Sequence, residues 1–152
     1  MALRRMVGPA FLVGFGLAFL ADLAVFHVLL DWHATVSALT ADPGTNLLAD
    51  VALGVVALVL LAVGVLSLGA RRRAGDRRRV VGSGLLGFGA ANVVDSVVNH
   101  WLLGAHHIYP PAPLLGDVAF FVVALAFLAA GATLLGMEEA RPAPVRGEGR
   151  SV

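Results

Sequence analysis

GFGLAFLADLAVFHVLLDWH, residues 14–33, and GFGAANVVDSVVNHWLLGAH, residues 87–106, align without a gap at a constant offset of 73 residues. Gly14, Phe15, Gly16, Asp22, His27, Leu30 and His33 fall on Gly87, Phe88, Gly89, Asp95, His100, Leu103 and His106. The segments that follow match as well, DVALGVVALVLLAVG from Asp50 on DVAFFVVALAFLAAG from Asp117, at an offset of 67 because the first connecting loop is six residues longer. Chance similarity between apolar helices predicts matching Leu, Val and Ala, but not matching Asp, His, His and Asp. The chain is therefore read as an internal duplication of a two-helix hairpin.

Composition supplies the setting. The chain has 152 residues, 59% of them hydrophobic and 14% charged, and its mean hydropathy is +0.86, which excludes an ordinary soluble domain. Four apolar segments, Met6 to Leu30, Leu47 to Ala70, Val80 to Leu103 and Leu115 to Met137, each meet the roughly 20 residues needed to cross about 30 Å of hydrocarbon. The fold class expected is all-α integral membrane, with four transmembrane helices as two parallel repeated hairpins in one bundle. The membrane domain spans 1–137, with repeat one at about 7–70 and repeat two at about 80–137. The tail, 138–152, is rich in Pro, Gly and charge and reads as a disordered cytoplasmic segment. A cleaved signal peptide is the alternative for the first segment, but its apolar run is too long and Asp22 and His27 interrupt it.

Orientation follows from the bases. All eleven are arginines, at the N-terminus (Arg4, Arg5), in RRRAGDRRR (71–79) and in the tail. The positive-inside rule puts both termini and the middle loop in the cytoplasm and the loops at about 31–46 and 104–114 outside. The arginine loop is a topology signal rather than a nucleic-acid patch, and the net charge of +1 specifies no charged partner. Because both hairpins start and return inside, a pseudo-two-fold axis along the membrane normal relates them most simply, with shared glycines letting helices approach closely.

Depth turns the repeat into chemistry. At about 1.5 Å per residue, Asp22 and Asp95 lie roughly 22 Å along their helices, with His27 and His100 near the outer boundary. His33, His106 and His107 follow, and Asp50 and Asp117 open the returning helices. No lysine or arginine lies in this layer. A buried unpaired carboxylate takes a proton or a cation, because leaving it charged and alone costs several kcal/mol, on the order of the penalties for buried charge. The candidate metal ligands are Asp22, His27, His33, Asp50, Asp95, His100, His106, His107 and Asp117. Asp22 and His27, five apart, diverge by about 140° on an ideal helix and need a π-bulge or an unwound end to face one centre. Asp22 and His33 stand about 16 Å apart on an ideal helix and are not expected to grip one ion. His27 and His100 are expected to meet across the axis, as are Asp22 and Asp95.

Ligand type narrows the cofactor. The chain has no cysteine, and Met1, Met6 and Met137 all lie at the cytoplasmic side. Imidazole with carboxylate suits Zn, Fe, Mn or Cu(II). A haem b held by His27 and His100 is the alternative, although it leaves the aspartates unexplained. Plainer roles compete at several positions. Asp50 and Asp117 suit helix N-caps, His33 and His107 suit the interface, and Trp32, Trp101 and Tyr109 suit an aromatic belt. Asn92 and Asn99 suit interhelical hydrogen bonds, and a buried Asp–His network ordering the bundle is the structural reading of the core four.

These residues resemble a known family. GFGxxxxxDxxxxHxxLxWH, followed by a hairpin with NxxDxxxNHxLLGxHH, is similar to the bacterial four-helix predicted membrane proteins of domain-of-unknown-function family 2243, from about Gly14 to Gly136. The resemblance implies a polar signature on Asp22, His27, Trp32, His33, Asp50, Asn92, Asp95, His100, His106 and His107, and no activity. It also implies histidines at Ala34, Gly54 and Trp101 and Glu at Asp95, departures that lower the number of metals expected here.

The leading expectation is a metal-binding protein of the cell membrane with its cluster on the extracytoplasmic side, redox-active or delivering metal to a respiratory partner. Proton or divalent-cation transport and a structural or assembly role are the alternatives, and catalytic residues are not assigned. The lipid bilayer is the expected partner, nucleic acid is not expected, and self-association is open.

Overall fold

The computed structural model describes residues 4–69 and 77–139. Arg71–Arg73 of the middle loop and the tail beyond Glu139 lie outside the described residues. Helix α1 covers Arg4–Asp22 and runs directly into a π-helical segment, π1, Leu23–Leu29. A loop leads to α2, Pro43–Gly69. The order repeats with α3, Arg77–Asp95, a second π segment, π2, Ser96–Leu102, and α4, Pro113–Glu139. Four spans are long and apolar enough to cross a membrane, Gly8–Leu29, Pro43–Gly69, Arg77–Leu102 and Pro113–Met137.

Both returning helices begin at proline, earlier than the apolar pattern predicts, because proline's fixed φ suits the first helical position and its missing N–H costs nothing there. Asp42 caps α2 by accepting the Thr45 N–H at 2.7 Å. Asp50 and Asp117 therefore sit inside their helices, free of any capping duty.

The helices pack as an open row. α1 and α3 form the central pair, α2 flanks α1, and α4 flanks α3. The central crossing depends on glycine. A methyl on Gly14 would collide with the Gly84 carbonyl, and one on Gly87 with the Phe11 carbonyl. Backbones this close gain van der Waals contact along their length, which is what holds helices together once lipid removes the hydrophobic drive. α2 and α4 turn Leu and Val outward, with Leu66 and Leu114 each 75% exposed, a surface suited to hydrocarbon.

The π segments have paired endings. Leu30 N–H donates to the Val25 carbonyl and Leu103 N–H to the Val98 carbonyl, both at 2.8 Å. Asp31 and Gly104, which the repeat aligns, then reverse the chain with φ of 49° and 57°. Glycine adopts this left-handed conformation freely, and aspartate tolerates it better than most residues.

Candidate metal centre

The π turn brings residues five apart together. His27 Nε2 lies 3.2 Å from Asp22 Oδ2, and His100 Nε2 lies 3.2 Å from Asp95 Oδ2, as the need for a non-α turn anticipated. Such wide turns cluster at functional sites because they re-aim side chains at a cost in regular hydrogen bonding.

His33 and His106 correct the straight-helix expectation. The helix stops at Leu29, and the reversal at Asp31 folds His33 back over the end of the bundle. Asp22, His27 and His33 thereby form one group, and Asp95, His100 and His106 another. In each, the donor atoms lie within 4.8 Å of one another. Neither His33 nor His106 is an interfacial residue, being 6% and 1% exposed. The imidazoles that meet between the two groups are also these two, stacked at 4.7 Å with planes 5° apart, instead of His27 on His100.

Asp50 and Asp117 occupy the layer behind. Asp50 Oδ1 accepts the His27 Nδ1–H at 3.0 Å and both the N–H and hydroxyl of Thr35, at 2.8 and 2.7 Å. Those bonds leave His27 Nε2 as a lone-pair donor facing Asp22. Asp117 accepts from the Ile108 N–H at 3.0 Å and from His107 Nδ1 at 2.7 Å. Its Oδ1 also lies 3.0 Å from His100 Nδ1, but out of hydrogen-bond alignment. His107 is thus an anchor for Asp117, and the hydroxyl of Thr35 takes the corresponding place on Asp50. Asn99 donates to Asp95 Oδ1 at 2.6 Å within its own helix, not between helices.

Thr35 also ties the halves together. Its carbonyl accepts the His106 Nδ1–H at 2.9 Å, which orients that ring and leaves Nε2 toward Asp95 and His100. His33 has no such tether. Neither of its ring nitrogens has a hydrogen-bond partner. Of the eight buried side-chain polar atoms without a partner among the described residues, six belong to Asp22, His27, His33, Asp95 and His100. An unsatisfied buried polar atom costs about 1–3 kcal/mol, and these six are concentrated in one layer of the fold.

The second group has the dimensions of a coordination face. His100 Nε2, His106 Nε2 and Asp95 Oδ2 are separated by 3.1, 3.2 and 3.7 Å. With metal–ligand bonds of about 2.1 Å, such separations correspond to angles of roughly 95–125° at an ion. Two imidazoles and one carboxylate on one side leave other positions open.

Charge in the loops differs between the two stacked rings. Burial, together with the neighbouring imidazoles His106, His27 and His100, pushes the His33 pKa down to about 3, so it is a neutral donor. Burial also opposes charge on His106, but Asp95 and the Thr35 carbonyl outweigh it and raise its pKa.

A family model described as predicted membrane protein (DUF2243) matches residues 9–138. No curated protein and no solved structure matches the chain.

Proposed function

Since the chain belongs to this family of predicted membrane proteins, we propose that it is a membrane metalloprotein carrying two adjacent sites, Asp22/His27/His33 and Asp95/His100/His106. The observation that carries the reading is His33, a buried imidazole with both nitrogens unpartnered in a group of metal-ligand geometry. A hydrogen-bonded structural network accounts for His100 and His106, but it leaves both ring nitrogens of His33 without a role. Two-His, one-carboxylate sets suit Zn, Fe(II), Mn or Cu(II). Asp50 and Asp117 hold the far sides of His27 and His100, as carboxylates behind metal-bound imidazoles do. Haem is a poorer fit, since the ring nitrogens of His27 and His100 already face carboxylates.

The arginine distribution supports an extracytoplasmic position for the centre, and the open coordination positions suit redox chemistry or metal delivery to a membrane partner. Transport is less well supported, because the α1–α3 interface continues as a tight glycine crossing. The test is purification in mild detergent without chelators, metal analysis by mass spectrometry and a visible spectrum, beside His33→Ala and His106→Ala. First-row metal at one or two per chain, lost in step with the variants and without a haem band, is expected. A wild type that stays metal-free after reconstitution with Zn, Fe, Mn and Cu overturns the proposal.

A further inference from the structure

A cleft of about 600 Å³ opens between α1–π1 and α4, beside the first metal group. Its lining runs from Phe127 to Gly116 along α4, about 16 Å at 1.5 Å per residue. Asp22 lines it, so one wall of the cleft is also a side of the candidate centre. Six aromatic rings, Phe26, Trp32, Phe88, Tyr109, Phe120 and Phe127, line the remainder. They stand in contacting pairs, Trp32 with Tyr109 at 5.0 Å, Phe26 with Phe120 at 6.1 Å and Phe88 with Phe127 at 4.6 Å. Phe26 also stacks on His33 at 6.1 Å, and Phe120 lies 5.8 Å from His100.

One polar group interrupts this surface. Asn92, 6% exposed, lines the cleft, and no hydrogen bond joins its side-chain amide to any described residue. In a bilayer no water stands ready to satisfy it, and an unpaired amide in hydrocarbon costs several kcal/mol, on the order of other unpaired polar groups there. The repeat places Phe19 at the matching position, so the amide belongs to one hairpin only.

We infer that this cleft binds a membrane-soluble quinone, its flat ring between the aromatic walls and a ring oxygen paired with the Asn92 amide. An amide offers both a donor and an acceptor, so it pairs with the carbonyl of a quinone or the hydroxyl of its reduced form. The volume suits a ring and the first part of an apolar tail. A saturated acyl chain fills the walls equally well but leaves the amide unpaired. The inference deepens the metal-centre reading and rests on it for the ligand's role, since Asp22 is shared by the cleft wall and the candidate centre.

The experiment uses full-length protein in mild detergent carrying Trp101→Phe, which leaves Trp32 as the single tryptophan, and follows its quenching by a decyl-substituted benzoquinone. Saturable quenching is expected, weakened about tenfold by Asn92→Leu, the loss of one buried hydrogen bond, and abolished by Ala119→Phe, which fills the cleft from an exposed position. Quenching that grows linearly with partitioning, is the same in both variants, or is displaced equally well by a saturated phospholipid overturns the inference. Metal is measured in the same samples. Metal binding without saturable quinone quenching in the protein with an unaltered cleft sinks this inference alone, whereas quinone binding by a wild type that never takes metal sinks the metal reading alone.

Discussion

Replacing His33 by leucine makes the metal-free protein more stable. The substitution removes two buried ring nitrogens that lack partners, at about 1–3 kcal/mol each. It also forfeits ring contacts with Phe26, His27 and His106, about 0.5–1.5 kcal/mol for each such contact. At the middle of these ranges a net gain of about 1 kcal/mol is left, since leucine is close to histidine in volume and adds little strain. For a chain of this size that corresponds to about 2–4 °C in Tm per kcal/mol. Thermal unfolding is followed by circular dichroism in detergent, with chelator and then with saturating Zn. In chelator the variant melts at or above the wild type. Added Zn raises the wild-type Tm because ligand binding to the native state adds stability, and it moves the variant less. A chelated variant that melts several degrees below wild type refutes the reasoning, because it shows that the imidazole makes native hydrogen bonds and is structural.

Other perturbations test other levels of the structure. Gly14→Ala and Gly87→Ala each drive a methyl into a backbone carbonyl of the partner helix, and size-exclusion profiles are expected to show loss of the monodisperse protein; Gly8→Ala and Gly136→Ala, with open space around them, leave the profile unchanged. Gly104→Ala strains a φ of 57° by about 1–2 kcal/mol, lowering Tm, while Asp31→Gly at the matching turn is tolerated; equal losses from both would refute the paired-turn account. His106 has a raised pKa, so the proton that a metal must displace is held to higher pH than on an ordinary imidazole. Affinity therefore rises with pH through that raised value and falls as acid restores the proton. His33, at about 3, contributes nothing to this dependence above pH 4, about one unit beyond its pKa. Calorimetry in buffers of different ionisation enthalpy is expected to show net proton release on Zn binding. Thr35→Val removes one bond to Asp50 and keeps the backbone bonds, so metal affinity falls by about tenfold, the low end for groups that orient ligands.

Much of the centre was legible before any geometry. Spacing alone paired Asp22 with Asp95 and His27 with His100, and the requirement for a non-α turn between them followed from an ideal helix pointing them apart. Asp50 and Asp117 were harder, because an aspartate near an apparent helix start looks like a cap; Pro43 and Pro113 were the signals that the helices begin earlier. Asn92 looked like one more interhelical contact. Its isolation among aromatic rings depends on α4, far away in sequence.

Hydropathy and the internal sequence match by themselves determined the four spans and the identity of the paired polar residues, because lipid thickness sets span length and chance apolar similarity does not repeat Asp and His at fixed spacing. The tertiary structure decided which of those residues meet. A periodic pattern assumes one helical geometry throughout, and here the chain widens into π turns at Leu23 and Ser96 and reverses at Asp31 and Gly104. Those local departures rotate His27 and His100 toward their carboxylates. They also carry His33 and His106 into a buried stack between the halves, a placement that depends on backbone conformation rather than on residue spacing.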